Sequence, residues 1–130
     1  KADTLIESTG NYKQSKLRIL DSQMNEIKPP LKLNDEYFGE GITHFKGKIY
    51  QLTYKEHKVF VYDGMNRITD INVYDSPSCG LLLFNKNLSY SGNKISNIVV
   101  TSFIPSGTLT KSLSYSGDLV QSVTVTSSYG

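Results

Sequence analysis

Apolar and polar side chains alternate along KIYQLTY (residues 48–54). Ile49, Gln51 and Thr53 fall to one side, and Tyr50, Leu52 and Tyr54 to the other. A period of two is what a half-buried strand produces, because successive side chains point to opposite faces of a sheet. HKVFVYD follows after the turn-like KEH, and the DGMN turn then leads into RITDINVYD. Upstream, DTLIEST and SKLRILD are separated by GNYKQ. Turn signals recur about every 8–12 residues, the spacing of all-β architecture. No segment carries helical periodicity. The predicted fold class is all-β and antiparallel.

The C-terminal part repeats itself. LSYSGNKISNIVVTS (88–102) aligns with LSYSGDLVQSVTVTS (113–127) at an offset of 25 residues. Leu88 to Gly92 match Leu113 to Gly117, and Ile95, Ile98 and Val100 match Val120, Val123 and Val125. Each copy reads as strand, SG[ND] turn, strand, with glycine supplying the positive φ of a hairpin turn. VYDGMNRITDINVYDS (61–76) is a looser third relative. A lone hairpin cannot bury its apolar face, so stacked neighbours are predicted.

Composition changes part-way along the 130 residues. Residues 1–75 hold 22 charged side chains, 11 of each sign, whereas residues 76–130 hold only Lys86, Lys94, Lys111 and Asp118. In that second part Ser and Thr take 18 of 55 positions. YDSPSCG (74–80) punctuates the change, which places an expected module boundary at residue 75. The net charge is +2 with no basic block, which argues against a nucleic-acid partner. The longest apolar cluster, Leu81 to Phe84, is far short of the roughly 20 residues that span a bilayer, so no membrane span is expected. Cys79 is the sole cysteine, which leaves no internal disulfide and reads as a passive thiol. A chain starting at Lys1, without initiator Met or signal peptide, reads as a processed, trimmed or partial product.

LIESTGNYKQSKLRILD, then YFGEGIT, KIYQLTYK and FVYD, run in order over residues 4–63. In this the chain resembles the glutamine cyclotransferases, the plant-type glutaminyl-peptide cyclases. The resemblance implies a five-bladed β-propeller, of which this stretch would form about one and a half blades. It also implies a reaction, the closure of an N-terminal Gln into pyroglutamate with loss of ammonia, and no cofactor. By the same resemblance Glu40, set between Gly39 and Gly41, is the acid/base carboxylate, and Tyr54 stands where the family has a pocket-lining Trp. The family's leading F-T-Q-G-L segment would fall before Asp3, and its remaining blades after about residue 75. There this sequence turns to Ser-rich hairpins without Trp. Residues 88–127 are similar instead to the YD-type β-hairpin repeats of bacterial surface proteins, which implies stacked β-structure outside the cell.

The sequence therefore predicts propeller-like blades over residues 1–75 and stacked hairpin repeats over 76–130. Two functions fit. One is a partial or divergent cyclotransferase-like module that is not self-sufficient for catalysis and takes a peptide substrate if active. The other is a secreted or surface structural protein that assembles with further copies through sheet edges. Either places the protein extracellularly, at the cell surface or in the periplasm. His44 and His57 lie near Glu40 but lack metal-ligand spacing, so no metal is expected. The NLS sequon at 87–89 matters only on a eukaryotic secretory route, and no G-x-S-x-G elbow or Ser-His-acid arrangement exists.

Overall fold

The computed structural model describes residues 3–64, 67–76 and 78–129. Met65 and Asn66 of the DGMN turn, and Pro77 of YDSPSCG, lie outside the described residues. The fold is all-β, as predicted. The strands are β1 (Leu5–Thr9), β2 (Lys16–Leu20), β3 (Leu31–Lys32), β4 (Gly39–Phe45), β5 (Lys48–Thr53) and β6 (Lys58–Tyr62). They continue as β7 (Ile68–Tyr74), β8 (Leu82–Ser91), β9 (Lys94–Phe103), β10 (Ser106–Ser116) and β11 (Leu119–Tyr129). They form a three-stranded sheet, β1-β2-β3, and an eight-stranded sheet in which β4 to β11 lie in sequence order. Every pairing is antiparallel.

The turns explain the meander. Lys46 and Gly47 both have positive φ (48° and 75°) between paired Phe45 and Lys48, the geometry that tight two-residue hairpins favour. Gly92 and Gly117 each have φ 58° at the first position after the repeat strands β8 and β10. The SG[ND] motif thus closes two equivalent hairpins, as its sequence predicts.

Residues opposite one another in a ladder share a face, so the pairings sort the side chains of the large sheet. Gln51, Phe60, Ile71, Lys86, Val100 and Leu109 form one row across it. On the same face lie Ile49, Tyr62, Leu88, Ile98, Leu113, Val123 and Val125. The other face of β8–β11 is a ladder of Asn85, Asn97, Thr101, Thr108, Thr110, Ser112, Ser114, Ser122 and Thr124. Its members hydrogen-bond across strands, Ser112 Oγ to Asn97 Oδ1 at 2.8 Å and Ser114 to Ser122 at 2.6 Å.

The small sheet packs on the apolar face, but only over its first strands. Leu17, Leu33, Ile49, Phe60 and Tyr62 form the buried cluster, with Ile6, Leu31, Tyr37, Ile42, Ile68 and Ile71 around it. Every buried hydrophobic residue among those described falls between Leu17 and Tyr62. The strand ladder itself does not pause at residue 75. β7 pairs with β8 from Asp70↔Asn87 to Tyr74↔Leu82, and the intervening loop is tied by Leu81 N–H donating to Asp75 Oδ1 at 2.8 Å.

Candidate functional site

Two strings singled out in the sequence, ESTG and FGEG, meet in space. A Cβ on Gly10 would stand 2.5 Å from Phe38 Cε1 and 2.8 Å from the Gly39 carbonyl. One on Gly39 would stand 3.0 Å from the Thr9 carbonyl and from Gln51 Nε2. Both positions need glycine because other atoms already occupy the space of a side chain. Ser15, almost wholly buried, ties this junction: Gly39 N–H donates to its Oγ at 2.8 Å, and that hydroxyl donates to the Asn11 carbonyl at 2.7 Å.

Beyond Gly39 the register with β5 slips. Gly39 faces Thr53 and Ile42 faces Gln51, so Glu40 and Gly41 together oppose Leu52. This is a β-bulge, a device that bends a strand and re-aims a side chain. Glu40 is exposed, and its carboxylate has no hydrogen-bond or ion-pair partner among the described residues. It lines a hollow of about 230 Å³ with Gly41, Leu52, Thr53 and Tyr54. The two residues assigned roles by resemblance are thus brought to one place. Glu40 lies within a bulged strand.

Tyr54 ends an aromatic row. Its ring centroid is 5.6 Å from Phe38, and Phe38 meets Tyr12 edge-on at 5.3 Å. Tyr54 N–H donates to the Phe38 carbonyl at 2.9 Å, and Lys55 Nζ sits 5.0 Å over the Tyr54 ring. Tyr12 has its phenol pKa raised, first by a hydrogen bond with Glu56 and then by desolvation and that carboxylate's charge.

Behind the bulge lies a polar chain that alternation alone did not single out. Tyr62 OH donates to Gln51 Oε1 at 2.8 Å, and Gln51 Nε2 donates to Ser8 Oγ at 2.7 Å. Gln51 is fully buried, and Tyr62 is 1% exposed. Burial pushes the Tyr62 phenol well above its ordinary pKa, which keeps it a donor. The chain fixes β1 against β5 and so holds the floor beneath Gly39. One sequence signal pointed to it: Gln51 is a polar residue on the side of the strand that also carries Ile49.

The remaining candidates do not join this site. His44 is exposed on β4, and His57 lies in the turn after β5 with φ 58°. Among the described residues no group of three His, Cys, Asp or Glu side chains converges as a metal site. Cys79 is a half-buried free thiol in the loop before β8. Asn87 of the sequon donates to Asp70 Oδ1 at 3.0 Å. Three larger hollows lie elsewhere, one of about 590 Å³ with Lys13, Lys16, Arg18 and Lys32 on its walls, one of about 480 Å³ between Leu31, Tyr62, Ile71, Leu88 and Tyr90, and one of about 460 Å³ between Leu5, Ile6, Ile42, His44 and Ile49. Size alone does not choose the site, because none of these contains the carboxylate and aromatic set in the FGEG and QLTY strings.

Comparison with known proteins decides the kinship of these strings. A model of the glutamine cyclotransferase family matches residues 1–94. The chain belongs to the glutamine cyclotransferase family. That match passes through the composition change at residue 75 and takes in β8. A glutaminyl-peptide cyclotransferase of Arabidopsis thaliana is similar to it, 36% identical over 64 residues. Those residues are 49% of this chain and 20% of the plant protein, so the chain spans about a fifth of that relative.

Proposed function

We propose that the chain is a partial, divergent glutaminyl-peptide cyclotransferase-like module, with Glu40 as its proton-transfer group and Tyr54 as one wall of the substrate pocket. The observation that carries this reading is the shared hollow of Glu40, Gly41 and Tyr54 on the bulge of a chain in this family. The reaction that fits begins with an N-terminal Gln. Its neutral α-amine attacks the side-chain amide carbon, and Glu40 accepts the proton lost by the attacking nitrogen. As the carbon–nitrogen bond to the amide breaks, Glu40 returns that proton to the leaving nitrogen, which departs as ammonia. A hollow of about 230 Å³ is smaller than the ~300–1,000 Å³ of sites that enclose small ligands. The site therefore works as part of a larger propeller mouth rather than alone.

A Gln-initiated peptide followed by mass spectrometry tests this. The expected result for the 130 residues alone is ammonia loss at the buffer rate, with peptide-dependent NMR shifts at Gly41 and Tyr54. Tyr54→Ala should abolish those shifts. Turnover that disappears in Glu40→Gln would show a self-sufficient enzyme, and shifts centred elsewhere would remove the site.

A second reading rests on the exposed apolar side chains of β11 and on the edge strands of the large sheet. It is a structural role outside the cytoplasm, on a cell surface or in the periplasm, in which sheets extend by edge pairing between chains. Sedimentation of the chain at micromolar concentration tests it. A compact monomer would count against it.

A further inference from the structure

The repeats carry a docking device that is used twice among the described residues. Tyr90 OH donates to the Ile68 carbonyl at 2.7 Å, reaching back from β8 to β7. Tyr115 OH donates to the Ile95 carbonyl at 2.8 Å, reaching back from β10 to β9. Each tyrosine lies under a cation from the preceding unit, Arg67 at 4.6 Å from the Tyr90 ring and Lys94 at 5.4 Å from that of Tyr115. The same two cations cap the next turn, Arg67 donating to the Gly92 carbonyl and Lys94 to the Gly117 carbonyl. Each unit thus offers a carbonyl and a cation to the tyrosine and the glycine turn that follow.

At the offset of 25 residues, β11 is the equivalent of β9, and Val120 is the equivalent of Ile95. β11 is the sheet's edge. LVQSVTVTSSY contains no charge and no Pro, and Val120, Val123 and Val125 are each more than half exposed. Native edges are usually blunted by charge, Pro or a bulge; the register slip that β11 does carry, between Val120 and Ser122, recurs on β9 between Ile95 and Asn97, where β10 still pairs from Asn97 to Phe103. Where β9 has Lys94, β11 has Leu119, which is 76% exposed.

We propose that β11 is a docking edge for a further β-hairpin of the same L-S-Y-S-G-[ND] chemistry. This rests on the edge-pairing reading above and is independent of the cyclisation chemistry. The register follows from β10 on β9, where Lys111 faces Ile98, Thr110 faces Val99 and Leu109 faces Val100. Moved by one repeat, the incoming strand sets its Lys111 equivalent against Val123, its Thr110 equivalent against Thr124 and its Leu109 equivalent against Val125. Its tyrosine donates to the Val120 carbonyl. Leu119 supplies no cation over that ring, so this last interface is weaker than the two inside the chain.

The probe is a labelled synthetic peptide of residues 106–129, titrated into the 130-residue chain and read by fluorescence anisotropy. Saturable binding is expected. Leu119→Lys in the chain should tighten it about fivefold by restoring the stacked, turn-capping cation. Tyr115→Phe in the peptide should weaken it about fivefold. Val123→Glu should tighten it and Val123→Lys loosen it, because the peptide's Lys111 lies opposite. In a Cys79→Ser background, Thr124→Cys in the chain should form a disulfide with a Thr110→Cys peptide, as facing positions do. No binding, or binding indifferent to Leu119→Lys and to the charge swap at Val123, overturns the proposal. Disulfides formed by Thr43→Cys on β4 in preference to Thr124→Cys also overturn it. A chain that sediments as a monomer yet binds the peptide removes self-assembly and leaves this docking edge standing.

Discussion

The eight-stranded sheet is one ladder with two regimes. Over β4–β7 its apolar face is roofed by β1–β3, and Phe60, Ile49 and Tyr62 are buried. Over β8–β11 the same face continues with Leu88, Val100, Leu113 and Val125, but none of these is buried, and on β11 Val120, Val123 and Val125 are more than half exposed. Backbone pairing is equally regular in both. Regular pairing is therefore a poor guide to where stability resides, which depends on burial of side chains from both layers. The first region is held by packing and buried polar contacts. The second is held by ladders and by tyrosines and cations that bridge one unit to the next.

The most severe way to strain this contrast is to truncate a side chain in each region. Phe60→Ala should cost about 3–5 kcal/mol in urea unfolding, by lost transfer energy and a cavity. Val125→Ala, half exposed on β11, should stay within about 0.5 kcal/mol. Equal losses would erase the distinction. Gly10→Ala should cost about 1–3 kcal/mol, since the new methyl meets the Gly39 backbone carbonyl as well as the Phe38 ring. NMR shifts for that variant should spread to Gly41, because the ESTG–FGEG junction holds the bulge.

Tyr62→Phe leaves Gln51 Oε1 buried without its donor and should cost about 1–2 kcal/mol near neutral pH. It also carries a pH signature. The Tyr62 phenol holds its proton more tightly folded than unfolded, so above about pH 10 the folded state binds more protons. Stability should be complete below that pH and decline above it, and Tyr62→Phe should shrink the alkaline decline. Last and smallest, Lys94→Ala removes an exposed ion pair to Asp118, the cation over Tyr115 and the cap on Gly117. It should cost under about 1 kcal/mol, and hydrogen exchange should rise along β10 while β5 and β6 stay protected.

Much of this was legible from side-chain alternation. The strands at KLRIL, KIYQLT and KVFVY, the two SG[ND] hairpins and the kinship of FGEG with QLTY can all be read along the chain. β3 could not be, because two residues, Leu31 and Lys32, are too few to show a period. The bulge was hidden because Glu40-Gly41-Ile42 looks the same in register or out of it. The change in composition at residue 75 tempts a break, yet the ladder runs on. What changes there is the chemistry of the solvent-facing side, from charges to Ser, Thr and Asn, and backbone pairing is indifferent to that. At the site, the motif pointed to Glu40 and Tyr54. The contacts of Gly10, Ser15 and Ser8 depend on residues far apart in the chain and leave no local trace.

The hydrogen bond between Gln51 and Ser8 joins residues 43 positions apart, whereas each repeat hairpin pairs immediate neighbours across a two-residue turn. Closing the first connection must await the emergence of β5 and a large loss of chain freedom, while a hairpin added at the other end needs only its own turn. During synthesis the N-terminal segment is thus committed to waiting with its apolar side chains unroofed, and the C-terminal units zip on in order. A lineage can lengthen or shorten such a protein at β11 without disturbing how the Glu40 end finds its shape.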